Sequence, residues 1–436
     1  MNNIHFKAQS GWINDPNGLC FFQGQYHLFY QYFPYDLAWG TMHWGHATTT
    51  DFINYEHHPI ALFPSVEADQ NGVFSGSAFI ENNQMHLFYT GVKYHNFGAD
   101  IHRYGDKLFE SRQLKITSSD GFNFDNFCGK QVIIDKLERP FGDPIHSRDP
   151  KVWKKAGKYY LLLGSNVVQD EQPQGALLFF ESDDLSNFKQ ICCYTQKDMG
   201  HMWECPDYFE IDKQGFIVMS PEGTMPNCEY PSHVYIAPVK FNYQSSLEVV
   251  EELKLIDIGL DCYAPQTFVD ENDRRVLISW IRMPKAIEEK TIGCFTMPRV
   301  IEHHSTEICY RVHPSIEAQF KPIDIREALY VEETYKINIS LSAGQTLKIG
   351  DYQIENSDGV IQFDRSTIFP IADAQLCKVH SAKYQGAVEL AIYYDGYIVE
   401  TFINGGTEVC THVLYNHEPL LHVKSDAEYQ ISALQR

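Results

Sequence analysis

Short aromatic and aliphatic runs recur along this chain. Tyr26-His27-Leu28-Phe29-Tyr30 is echoed by Met85-His86-Leu87-Phe88-Tyr89. Tyr159-Tyr160-Leu161-Leu162-Leu163, Phe216-Ile217-Val218-Met219-Ser220 and Arg275-Val276-Leu277-Ile278-Ser279 follow. The spacing is roughly 60 to 75 residues, a period that belongs to repeated units of an array. Each run is short and rich in strand-forming side chains, so it reads as a buried strand. A leader precedes each run by about ten residues, enough for a strand and a turn. The leaders begin near Asp15, Ser75, Asp149, Glu204 and Ala264. After the first three runs, polar segments repeat as Thr50-Asp51-Phe52-Ile53-Asn54-Tyr55, Ser119-Asp120-Gly121-Phe122-Asn123-Phe124 and Ser182-Asp183-Asp184-Leu185-Ser186-Asn187-Phe188. Four short strands per unit and five units predict an all-β fold, a five-bladed β-propeller whose leaders line a central channel.

The period stops near Pro314 and Pro322, although strand-like patterning continues. Tyr335 to Leu341 alternates, and Ala387 to Ile403 reads as a long hairpin turning at Asp395-Gly396. Short, closely spaced strands of this kind predict a β-sandwich. The expected organisation is a propeller over residues 1–313, a linker over 314–325 and a sandwich over 326–436.

Charge narrows the partners. The formal net charge of −22 argues against nucleic acid or an anionic membrane and leans toward a neutral small molecule. No stretch reaches the ~18 apolar residues of a membrane span. The opening Met1-Asn2-Asn3-Ile4-His5-Phe6 has neither the basic segment nor the apolar run of a secretory leader. The eleven cysteines are odd in number, with Cys192 and Cys193 adjacent and no framework spacing, which reads as reduced thiols in the cytoplasm. His43, His46, His57, His58, His303 and His304 match no metal-ligand pattern, so neither metal nor cofactor is expected. The oligomeric state is open, a homodimer being one option.

Three acidic motifs sit in these leaders: Asn14-Asp15-Pro16-Asn17-Gly18, Arg148-Asp149-Pro150 and Glu204-Cys205-Pro206-Asp207. Singly they are bland. Asp-Pro-Asn-Gly is a common turn sequence, and Arg148-Asp149 can be a local pair. Glu204 stands beside Trp203, Cys205 and Pro206, where desolvation should raise its pKa and make it an acid. Equivalent places in units one, three and four would bring all three carboxylates to one end of the channel. Paired carboxylates in different protonation states are what glycosyl transfer requires.

In order along the chain, Trp12-Ile13-Asn14-Asp15-Pro16-Asn17-Gly18, Phe74-Ser75-Gly76-Ser77, Arg148-Asp149-Pro150, Glu204-Cys205-Pro206 and Asp261-Cys262-Tyr263-Ala264-Pro265-Gln266 resemble the signature of glycoside hydrolase family 32. That family comprises invertases, sucrose-6-phosphate hydrolases and fructan hydrolases. Glu400-Thr401-Phe402-Ile403-Asn404-Gly405 resembles its sandwich-domain hairpin. The resemblance covers nearly the whole chain and implies a propeller plus sandwich. It also implies a retaining β-fructofuranosidase acting on sucrose, sucrose 6-phosphate or short fructo-oligosaccharides. By position, Asp15 matches the nucleophile, Glu204 the acid/base and Asp149 the transition-state stabiliser. Arg148 should keep Asp149 ionised. Asn14, Gln31, Trp39, Phe74, Ser75, Glu222 and Trp280 match substrate contacts, with Arg148 beside them. Ile13 and Gly396-Tyr397-Ile398 depart from the usual pattern without touching the carboxylates. The alternatives are a fructan exo-hydrolase or fructosyltransferase, a non-catalytic fructan-binding propeller, and a related five-bladed enzyme acting on arabinose polymers by inversion.

Overall fold

The computed structural model describes residues 4–95, 109–169, 171–225, 228, 230, 232–304, 307–324, 334–415 and 423–435. Every repeated run is the second strand of a sheet, and every leader is the first. The five lead strands are Gly11–Phe22, Gly72–Glu81, Arg148–Lys155, Met202–Ile211 and Cys262–Val269. Each pairs antiparallel with its run, which then pairs with the strands that follow. The lead strands touch in cyclic order: first with second, second with third, third with fourth, fourth with fifth, and fifth with first. Thr291–Ile292 also pairs in parallel with Gly11 and Trp12, which ties the fifth unit back to the first sheet.

The polar echoes fold alike because their acidic residue caps its own turn. Asp51 Oδ1 accepts the backbone N–H groups of Ile53 and Asn54, and its Oδ2 accepts the Asn54 amide. Asp120 and Asp184 repeat this arrangement with Asn123 and Asn187. An Asx turn closes each connection without a long loop.

All five lead strands carry the same irregularity. Between Ile13 and Pro16 the lead strand advances three residues while its partner advances two, from Tyr32 to Tyr30. The same extra residue lies between Val73 and Gly76, Arg148 and Lys151, Glu204 and Asp207, and Tyr263 and Gln266. A bulge re-aims the side chains around it and often marks a site. In three strands the first bulge residue has left-handed backbone: Asp149 at φ 66°, Cys205 at φ 44° and Ala264 at φ 48°. A proline follows each of them, and its missing N–H falls where the ladder is already broken.

Residues beyond 319 form two further sheets. One orders Phe320–Pro322, Tyr429–Leu434, Tyr335–Leu341, Val388–Asp395, Ile398–Ile403 and Glu408–Val413. The other orders Lys378–Lys383, Val360–Asp364, Tyr352–Ser357, Thr346–Ile349 and Val423–Ser425. Their alternating faces share one apolar core, including Ile337, Leu347, Ile354, Phe363 and Ile392. The expected hairpin turns at Asp395-Gly396. Phe320–Pro322, inside the expected linker, is already a strand of the six-stranded sheet, whereas residues 325–333 lie outside the described residues.

A buried charge cluster joins the N-terminus to the C-terminal sheets. His5 donates from both ring nitrogens, Nδ1 to Asp395 and Nε2 to Glu400, at 2.9 Å each. Asp395 also accepts the Ile4 backbone N–H at 2.9 Å, while Glu400 accepts Arg299 Nε at 2.9 Å and Nη2 at 2.6 Å. Burial opposes a charge on His5, but the two carboxylates outweigh it and raise its pKa from 6.5 to about 9.

Candidate active site

Bulged lead strands converge on a cavity of about 420 Å³, a volume suited to a small saccharide. Asp15, Asp149 and Glu204 all line it, as do Asn14, Gln31, Trp39, Phe74, Ser75, Arg148, Glu222 and Trp280. The carboxylates do not occupy one register position. Glu204 is the last paired residue before its bulge, Asp149 is the first bulge residue, and Asp15 is the second. Three lead strands thus deliver carboxylates from three successive steps of the same backbone feature.

Both oxygens of Asp15 are held. Oδ1 accepts Asn14 Nδ2 at 2.9 Å, and Asn14 is itself oriented by Trp12 Nε1 at 2.8 Å. Oδ2 accepts Ser75 Oγ at 2.5 Å and the Cys205 thiol at 3.4 Å. Ser75 occupies the second bulge position of the next strand, the counterpart of Asp15 itself. Two donors brace this bulge from outside: Gln31 Nε2 donates to Val73 O and Trp44 Nε1 to Phe74 O, each at 3.0 Å.

Asp149 Oδ2 accepts the Cys205 backbone N–H at 2.8 Å. Arg148 protects the charge of Asp149, as expected, but only in part. Burial raises the Asp149 pKa, Arg148 opposes that, and the Asp15 charge adds to it, leaving a value of about 6. Arg148 turns elsewhere: its Nη2 donates to Glu204 Oε1 at 2.7 Å and lies 3.6 Å from Glu222. Desolvation of Asp149 therefore exceeds the help of a cation whose hydrogen bond goes to another carboxylate.

Glu204 behaves as its apolar surroundings predict. Burial and the Glu222 charge raise its pKa from 4.5 to about 8, while Arg148 and the Tyr263 hydroxyl act against them. Its side chain remains 21% exposed, open to the cavity. Glu222 goes the other way: burial penalises its charge, but His201 at 3.4 Å and Arg148 hold it ionised. One carboxyl is kept protonated near neutrality beside a carboxylate that stays charged.

Two residues outside the expected site set also contribute. Tyr263 donates its hydroxyl to Glu204 Oε2 at 2.6 Å. It holds the position in the fifth lead strand that Glu204 holds in the fourth, so aligning the five leaders would have exposed it. Cys205, whose default reading is a small hydrophobe, instead links Asp15 to Asp149 through its thiol and backbone N–H. Aromatic walls complete the cavity: Trp12 meets Trp280 edge-on at 5.8 Å, and Trp39 meets Phe74 edge-on at 5.8 Å.

An all-β scaffold presenting a protonated acid and a braced carboxylate to one sugar-sized cavity defines a glycoside hydrolase. Residues 5–314 match the glycosyl hydrolases family 32 N-terminal domain, and residues 301–433 match the family 32 C-terminal domain. The chain belongs to glycosyl hydrolase family 32. A sucrose-6-phosphate hydrolase of Escherichia coli is 30% identical over 477 residues, covering 99% of this chain and 93% of that protein. A raffinose invertase of Escherichia coli is 33% identical over 327 residues, 72% of this chain and 65% of its own length. The structure of a sucrose-6-phosphate hydrolase from Lactobacillus gasseri superposes with a TM-score of 0.84 at 22% identity, covering 100% of this chain and 93% of that one.

Proposed function

We propose that the protein is a retaining β-fructofuranosidase that hydrolyses terminal β-fructofuranosyl residues of small saccharides. One observation carries the reading: Glu204, with its pKa raised to about 8, shares a cavity with Asp15, both of whose oxygens are held by donors. Asp15 attacks the anomeric carbon of fructose while Glu204 gives its proton to the departing glycosidic oxygen. The fructosyl-Asp15 ester then reacts with water, whose proton returns to Glu204, freeing fructose with configuration retained. Asp149 accepts hydrogen bonds from fructose hydroxyls and stabilises the transition state. Asn14, Gln31, Ser75, Arg148 and Glu222 read the sugar's polar groups, and Trp39, Phe74 and Trp280 shape the pocket.

The five sheets are taken as blades of a propeller over residues 1–313, supported by the cyclic contacts of the lead strands, with a sandwich over 326–436. All eleven cysteines are free, which fits a reducing cytoplasm. Among the described residues, no helix is long and apolar enough to cross a membrane.

We take a neutral substrate as the first reading. Among the described residues Arg148 is the only lysine or arginine lining it, and Glu204 and Glu222 engage that cation. A second reading, sucrose 6-phosphate, is favoured by the names of the relatives. Comparing kcat/KM for sucrose, sucrose 6-phosphate and a fructo-oligosaccharide decides between them. A strong preference for the phosphate overturns the neutral reading, and release of α-fructose as first product overturns retention.

A further inference from the structure

The C-terminal sheets grip the chain immediately before the fifth lead strand. Ile258 N–H donates to Val409 O at 2.8 Å, and Thr411 gives its backbone N–H and hydroxyl to the two oxygens of Asp257 at 2.8 and 2.6 Å. Four residues after Asp257, Asp261 Oδ2 accepts the Val413 N–H at 2.7 Å. Asp261 also receives both arms of the Arg365 guanidinium, Nη1 on Oδ2 and Nη2 on Oδ1, the latter at 2.8 Å. Both side chains are fully buried. Arg365 itself is fixed from the C-terminal side: Nε donates to Leu376 O at 2.9 Å, Nη1 to Val413 O at 3.1 Å, and the guanidinium stacks 3.7 Å above Phe369. A planar fork with every arm engaged leaves its partner one position.

Asp261 lies two residues before Tyr263, the phenol that holds Glu204 Oε2. The Asp261 carbonyl also accepts the Arg282 N–H at 2.8 Å, and the Arg282 guanidinium sits 4.6 Å over the Tyr263 ring. We infer that Arg365, the residue that follows the C-terminal strand Val360–Asp364, is a positioning residue for the reaction: by clamping Asp261 it sets the height of Tyr263 in the cavity and so the hydrogen bond on the acid/base Glu204. The clamp assigns the C-terminal sheets a part in tuning the acid as well as in stability. It rests on the reading of Glu204 as the acid.

The readout is the alkaline limb of kcat/KM, which reports the acid of the free enzyme. Glu204 is faced by Arg148 and Glu222, by Asp149, Asp15 and Cys205 across the bulges, and by Tyr263; His201 and His146 stand behind Glu222 and Arg148. Tyr263 donates to the ionised form, so slackening it makes the acid harder to deprotonate. Arg365→Gln is expected to move the limb upward by about half a pH unit or more, Arg365→Lys by less, and Tyr263→Phe at least as far as Arg365→Gln. In a Tyr263→Phe background, Arg365→Gln should add no further shift.

Removing one member of a buried pair can prevent folding. The double variant Asp261→Asn/Arg365→Gln leaves no unpaired charge and provides the same readout. A lowered melting temperature with an unmoved limb, or a full additional shift in the Tyr263→Phe background, overturns the inference. Glu204→Ala serves as the separate control. If that variant keeps the wild-type alkaline limb, the assignment of the acid fails, whatever Arg365 does.

Discussion

At the scale of single residues, the site works by separating the protonation states of neighbouring carboxyls. In the proposed mechanism Glu204 at about 8 and Asp149 at about 6 set opposite requirements: Glu204 must hold its proton and Asp149 must have lost its own. Rate is then lost below about 6 as Asp149 protonates and above about 8 as Glu204 ionises. A bell-shaped kcat/KM profile with those limbs is expected for sucrose hydrolysis, and a profile flat through pH 8 would contradict the acid assignment. Asp15→Ala and Glu204→Ala should each lower kcat by at least ~10³, a barrier of about 4 kcal/mol. Glu204→Ala should keep more activity on an aryl fructoside, whose leaving group needs no proton, than on sucrose; equal losses on both would count against it. The raised Asp149 also shows where sequence adjacency misleads. Arg148 precedes Asp149 in the chain and both line the cavity, yet the bulge re-aims Asp149 and the guanidinium gives its hydrogen bond to Glu204.

At the scale of the strand, the repeated bulge is what turns a β-sheet into a site. An unbroken lead strand would alternate its side chains regularly, and Asp15, Asp149 and Glu204 could not all meet one cavity from three different register positions. The bulge also brings backbones close. A Cβ on Gly76 would lie 1.9 Å from Phe88 O and 2.7 Å from Tyr89 Cα, neither of which can swing aside. Gly76→Ala should therefore destabilise by about 1–3 kcal/mol through overpacking and displace Ser75 from Asp15. Thermal melts together with kcat check this, and wild-type values for both would refute it.

At the scale of the molecule, buried ion clusters tie the N-terminus and the fifth sheet to the C-terminal sheets. Asp395 and Glu400 favour the charged form of His5 and raise its pKa from 6.5 to about 9. A histidine so raised contributes stability that is full below about 6.5 and is lost as pH rises through about 9. Urea unfolding between pH 6 and pH 9.5 should show this loss in the wild type and a weaker one in His5→Ala. That variant should also be less stable by about 3–5 kcal/mol at neutral pH, since it leaves Asp395 and Glu400 without their shared cation. Equal pH dependence in the two proteins would remove His5 from this role.

Much of this molecule was legible in the chain because its signals are local. Strand periodicity, Asx turns and the hairpin at Asp395-Gly396 depend on neighbours in sequence, so the five repeated units and the later strands could be read directly. The apolar setting of Glu204 could be read too, since Trp203, Cys205 and Pro206 adjoin it. What only the tertiary structure decided depends on residues far apart in sequence. The bulge is defined by a partner strand, the pKa of Asp149 by the depth of its burial, and the partners of Glu204 by Arg148 and Tyr263 arriving from other sheets. The clamp of Arg365 on Asp261 spans 104 residues. Asp261 opens a recognisable motif, but nothing local marks Arg365 or pairs the two, because a buried ion pair is specified by geometry that exists only once both units have folded. The carboxylates were visible from the start; the order of their charges was settled by packing.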